Sequence, residues 1–191
     1  VTSSGTSYVY AQKGDDDITL TSGYNHVIEA GDGDDIIRFK AGTGSIYGGN
    51  GDDQLLVYNT INNSYIDLGE GNNLVEGRSS TEAVSNNRSI SNSVITAGSG
   101  NNKFNLTGSA PASLLNNFET ISSSKIKSDE TYIKIVGLKF NQSKTMEIGG
   151  KRYKLTNNSS PLSEASLLYK YDSIEDKVTF ADSRVRVECI D

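Results

Sequence analysis

Over the first hundred residues, apolar and polar positions alternate in short bursts, each broken by a polar turn rich in glycine. "VYAQKGDDDITL" begins at Val9, "IEAGDGDDIIRF" at Ile28, "IYGGNGDDQLLV" at Ile46, "IDLGEGNNLVEG" at Ile66 and "ITAGSGNNKFNL" at Ile95. The pattern is apolar-x-small/apolar-x-x-Gly-[DN]-[DN]-x-apolar, loosest in the first copy, and the starts lie 19, 18, 20 and 29 residues apart. Within a copy Ile28 and Ala30 alternate before the glycines, and Ile37 and Phe39 after them; Leu55 with Val57 and Phe104 with Leu106 match. A period of two predicts strands with one face turned inward. Between copies lie second turns, "TSGYN", "AGTGS" and "TINNS", which lack aspartate.

Each unit therefore reads as strand, acidic turn, strand, neutral turn. Strands this short cannot pair as hairpins within so tight a repeat. Stacking coil on coil instead makes two parallel sheets and sets equivalent residues about 4.8 Å apart. The expected fold is all-β: a parallel β-roll, a two-sheet solenoid over residues 1–107. The long fourth interval predicts a polar loop, "GRSSTEAVSNNR", inserted near 77–90.

Stacking creates an electrostatic problem at the acidic turns. Asp16, Asp35 and Asp53 fall in one column, and Asp15, Asp34 and Asp52 in another. Two unit charges at such a spacing repel by about 1 kcal/mol in water and about 4 at an effective dielectric of 20. Several such pairs rival a small domain's whole stability. A divalent cation reverses the sign, since carboxylates and turn carbonyls can supply the six to eight oxygens that calcium prefers. Metal-free β-helices also carry Gly-Asp corners, and Asn columns stack as hydrogen-bonded ladders. For Asn72, Asn73, Asn101 and Asn102 both readings stay open.

Gly48, Gly49, Gly51, Asp53 and Leu55 resemble the nonapeptide G-G-x-G-x-D-x-U-x of RTX (hemolysin-type) calcium-binding β-roll proteins. Ala30, Gly31, Gly33, Asp35 and Ile37 match with one Gly-to-Ala change. The resemblance covers about residues 9–107. It implies glycine carbonyls and the sixth-position aspartate as calcium ligands, giving the candidate set Gly14, Asp16, Gly31, Gly33, Asp34, Asp35, Gly49, Gly51, Asp52, Asp53, Gly69, Gly71 and Asn73. The neutral turns lack Asp, so one edge of the roll carries metal. The resemblance also implies a secreted or cell-surface bacterial protein, a toxin, exoenzyme or adhesin exported by type I secretion, whose module folds on meeting extracellular calcium.

Composition sharpens the choice of partner. Net charge is −6 overall, but residues 1–76 hold 3 basic and 12 acidic side chains. That imbalance argues against nucleic acid, whose phosphates need a basic stripe. No apolar run is long enough for a membrane span. The chain opens at Val1 without Met or a signal-peptide pattern, which reads as a monomeric fragment of something larger or a processed product. With a single cysteine no internal disulfide and no cysteine zinc cage can form.

Residues 108–191 lose the period and read as a β-rich C-terminal cap covering the open end of the stack. "LLNNFETI" reads as a short helical turn or a strand entry; "TYIKIVGLKF", "MEIGGKRYKL", "LLYKYD", "KVTF" and "RVRVECI" read as strands. In the last, Cys189 shares the phase of Val185 and Val187 and is expected to face a core. His26, the lone histidine, is expected as an exposed turn residue, and no HExxH, GxSxG or phosphate loop accompanies it. The module itself is expected to be non-catalytic. The alternative is a polysaccharide-active enzyme, or its carbohydrate-binding accessory module, on a parallel β-helix. Adhesion through "SSSKIKSDETYIK" is a weaker third idea.

Overall fold

The computed structural model describes residues 2–85, 88, 90–106, 113–116, 120–121, 131–134, 142–148, 151–157, 168–172, 177–180 and 185–190. All regular structure among them is strand. After β1 (Thr2–Ser4), the first rung consists of β2 (Tyr8–Tyr10) and β3 (Asp17–Ser22). The second is β4 (His26–Asp32) with β5 (Ile36–Phe39), and the third β6 (Gly44–Asn50) with β7 (Gln54–Val57). In the fourth, a short β8 (Ile61–Asn62) precedes β9 (Tyr65–Asp67) and β10 (Leu74–Gly77). In the fifth, β11 (Ile90–Ser91) precedes β12 (Val94–Thr96) and β13 (Lys103–Asn105).

First strands of successive rungs build one parallel sheet, second strands the other, so the chain winds a β-solenoid. The registers are those of the repeat: Val9, Ile28, Ile46, Ile66 and Ile95 lie side by side. Across the slab run Ile18, Ile37, Leu55, Val75 and Phe104. These second-sheet residues are wholly shielded, as are Ile28, Ile46, Ile66 and Ile95. Full burial of such side chains contributes about 1.5–3 kcal/mol each, which drives the coils together. Short loops turn the chain, and parallel ladders satisfy the backbone between rungs.

Parallel pairing continues past Leu106. Here β14 (Ser113–Asn116) joins β12 and β16 (Thr131–Lys134), while β15 (Thr120–Ile121) joins β13 and β17 (Gln142–Ile148). The "LLNNFETI" stretch thus carries parts of two strands rather than a helical turn. From β17 the pairing turns antiparallel, through β18 (Lys151–Asn157) to β21 (Val185–Cys189) in one sheet. In the other, β16 pairs with β19 (Leu168–Asp172) and β19 with β20 (Lys177–Phe180). The region proposed for adhesion, residues 122–130 above all, lies largely outside the described residues. No helix is long and apolar enough to cross a membrane among the described residues.

Two expectations are overturned. Cys189 is exposed rather than facing a core, because β21 is an edge strand whose cover thins after Val185. His26 is buried, not an exposed turn residue. It opens β4 in phase with Ile28 and Ala30, pairs in register with Gly44, and its Nε2 lies 3.0 Å from the Ser22 carbonyl. A Cβ on Gly23 would come within 2.8 Å of the imidazole, so a small residue there makes room for the ring.

Candidate metal centre

The acidic turns join the two sheets along one edge, and their paired Asp/Asn positions form two columns with opposite sense. In the inner column each side chain reaches back to the preceding rung. Asp35 Oδ1 accepts the Asp16 amide N–H at 2.7 Å, Asp53 Oδ1 that of Asp35 at 2.9 Å, and Asn73 Oδ1 that of Asp53 at 2.9 Å. Asn102 Oδ1 extends the series, accepting from the Asn73 amide at 3.0 Å. In the outer column side chains reach forward. Asp15 accepts the Asp34 amide at 2.9 Å, Asp34 that of Asp52 at 2.8 Å, Asp52 that of Asn72 at 2.7 Å and Asn72 that of Asn101 at 3.0 Å. Stacked acids therefore gain charge-assisted bonds to backbone donors that a turn would otherwise leave to water. Asp and Asn interchange along both columns because each presents the same Oδ1.

They differ in the second atom. Asn73 Nδ2 donates to the Gly69 carbonyl at 2.9 Å and reaches that of Gly71 at 3.4 Å; Asn102 Nδ2 does the same to Gly98 at 3.1 Å and Gly100 at 3.4 Å. Asp35 and Asp53 hold the equivalent positions, and the Oδ2 of each is buried without a hydrogen-bond partner. Where asparagine sets a donor against carbonyls, aspartate sets another acceptor. Burial pushes the Asp35 carboxyl up, with Asp16, Asp15 and Asp34 adding to it while the Asp16 amide opposes. Burial likewise raises Asp53 to about 7, against the Asp35 amide and aided by the Asp35, Asp34 and Asp52 charges. The exposed Asp52 carboxyl moves the other way, held low by the backbone and side-chain N–H groups of Asn72.

The glycines are fixed by close approach. Gly49 has φ 121°, and a Cβ there would sit 1.9 Å from the Gly31 carbonyl oxygen. At Gly48 a Cβ would lie 2.4 Å from Asp53 Oδ2 and 2.6 Å from the Leu68 carbonyl oxygen, so the first glycine of the repeat accommodates the acid itself. Gly31, Gly33, Gly51, Gly69 and Gly71 stack along the same edge, each with positive φ. Gly14 and Asp16 belong to the first turn, where Ala11 keeps the small position and Gln12, at φ 80°, takes the place of the glycine. The structure thus gathers the candidate residues on one edge. Among the described residues, no group of three or more His, Cys, Asp or Glu forms a metal cage. A cation there would rest on one inner aspartate per turn and on glycine carbonyls. The unpartnered Oδ2 of Asp35 and Asp53 fits that requirement, and the amide-filled positions of Asn73 and Asn102 do not.

Comparison with protein-family models, curated proteins and solved structures gives no match to this chain. The opposite edge is built on other chemistry. Ser64 Oγ accepts the Gly44 amide N–H at 3.3 Å and Ser93 Oγ that of Ser64 at 3.1 Å, a neutral ladder with no carboxylate in it. The sequence offered the asparagine ladder as one reading, but the opposed sense of the two columns and the serine ladder depend on side-chain rotamers that the repeat does not encode.

Proposed function

We propose that the chain is a non-catalytic calcium-binding module of a secreted bacterial protein, and that calcium drives its folding outside the cell. The observation that carries this reading is the pair of buried carboxylate oxygens on Asp35 and Asp53, turned to places where asparagine would supply a donor. A bound cation removes that mismatch, replacing acceptor-acceptor repulsion with ligation by carboxylate and carbonyl oxygens. The RTX resemblance supports the same assignment and the export route it implies. Gly49, Gly51, Asp53 and their counterparts Gly31, Gly33 and Asp35 would hold the ion. Gly69, Gly71 and Asn73 close the series with an amide in place of an acid.

Calcium titration of chelated protein by calorimetry, read beside circular dichroism, tests the proposal. β signal and heat should both appear in millimolar calcium, and magnesium should substitute poorly because it demands a tighter octahedral shell. Asp53→Ala should weaken calcium binding more than Asn102→Ala does. An unchanged spectrum with no heat of binding would falsify the switch.

A further inference from the structure

Among the described residues, exposed aromatic surface is concentrated on one face. Tyr8, Tyr10, Tyr47 and Tyr65 all project outward from the sheet of β2, β4, β6, β9 and β12, and Tyr24 stands in the neutral turn beside it. Tyr8 is 69% and Tyr24 72% exposed, at a cost in apolar hydration that a purely structural surface has no reason to bear. Among the described residues, the outer face of the other sheet carries no exposed aromatic ring.

Between two of these rings lies a cleft of about 580 Å³. Register places Tyr8, Val27, Ser45 and Tyr65 in one row across four strands. Tyr8 and Tyr65 thus bound a span of three strand spacings, roughly 14 Å, and small side chains leave the floor low. One wall is the neutral-turn edge, where Asn25, Asn63 and Asn92 line the cleft with φ of 56°, 44° and 45°. Among the described residues none of these three amide side chains has a partner within the protein, so each offers a free donor and a free acceptor. His26 lines the cleft too; with its Nε2 at the Ser22 carbonyl, its Nδ1 is left buried and unpartnered.

We infer that this cleft binds an uncharged glycan chain, its pyranose rings packed against Tyr8 and Tyr65 and its hydroxyls bonded to the asparagine amides. The chemistry selects this occupant. Flat, rigid tyrosines offer apolar area at low entropic cost, and neutral amides match hydroxyls in either direction. No lysine or arginine occurs in the five strands of the face, and Glu29 and Asp67 are exposed or half-exposed beside the tyrosines. An anionic polysaccharide would find no cation in these strands and two carboxylates one row from the cleft. A second copy of the face would bring those acids toward their own counterparts without a cation to offset them. The cleft shares no residue with the acidic turns and lies along the neutral-turn edge.

The test uses the whole chain saturated with calcium. A panel of neutral hexasaccharides (gluco-, manno-, xylo- and N-acetylglucosamine oligomers) is titrated by calorimetry and tyrosine fluorescence, beside hexagalacturonate. At least one neutral member should bind with a sub-millimolar Kd and perturb the fluorescence, while hexagalacturonate stays silent. Tyr65→Ala should weaken that binding about tenfold or more, and Tyr65→Phe no more than about threefold. If Tyr65→Ala fails to fold, Tyr8→Ala provides the same reading from a ring that is mostly in solvent. Silence across the neutral panel, equal affinity for hexagalacturonate, unchanged binding by a folded alanine variant, or dimerisation through this face in light scattering would each overturn the inference.

Discussion

At the scale of single residues, what distinguishes the turns is one atom. Asn73 places an N–H₂ group against the Gly69 and Gly71 carbonyls, whereas Asp53 places an oxygen with no partner in the equivalent position. The consequence appears in the pH dependence of metal-free protein. Asp53 carries a folded-state carboxyl raised to about 7 by burial and its acidic neighbours, so the folded state holds a proton that the unfolded chain releases near pH 4. Stability without calcium should therefore be greatest below that point and fall as pH rises through 7, by about 2–3 kcal/mol between pH 5 and pH 8 for this group alone. Denaturant unfolding in chelator at pH 5 and pH 8 measures the drop. Asp53→Asn should flatten it and stabilise the metal-free form at pH 8, while abolishing the calcium effect at that turn. Interchange of Asp and Asn was readable from "GDD" and "GNN" in corresponding copies. The orphaned oxygen was not, because it depends on which way each carboxyl group rotates.

At the scale of elements, the strands were legible wherever the turn signature recurred. Val9, Ile28, Ile46, Ile66 and Ile95 sit in register as their spacing implied. Beyond Leu106 the glycine-acid signature stops, yet β14, β15 and β16 still add in parallel. Their short apolar pairs, such as Leu114 with Leu115, carry no turn marker by which to recognise a coil. His26 was missed for the opposite reason: its position in a Gly-Asn turn obscured that it keeps phase with Ile28 and Ala30. Strand β5 shows how thin the slab is. Phe39 lies between Leu20 and Val57, its register neighbours in β3 and β7, and is fully shielded. Phe39→Ala should cost about 3–5 kcal/mol, read as a lower denaturant midpoint with an unchanged slope.

For the molecule as a whole, the two long edges differ in chemistry. The acidic edge carries the Asp/Asn columns, and the neutral edge carries serine and asparagine beside the tyrosine face, so a cation and a glycan need not compete for the same side chains. The described residues of the inserted loop leave this arrangement intact: Ser85 returns to bond the Gly77 carbonyl at 2.8 Å, Arg78 Nη1 donates to the Glu82 carbonyl at 3.1 Å and Arg88 Nη2 to that of Arg78 at 2.6 Å. Nearby, Leu56 on the outer side of β7 is only 5% exposed. The opposed sense of the two columns has a modular implication. Every corner offers its successor one acceptor and one donor of identical kind, so any corner can follow any other. Excising Ile46 through Tyr65, which joins Ser45 to Ile66 in phase, should yield a shorter protein that still unfolds in one cooperative step in calcium; a molten spectrum after that deletion would mean the corners are individually tailored rather than interchangeable.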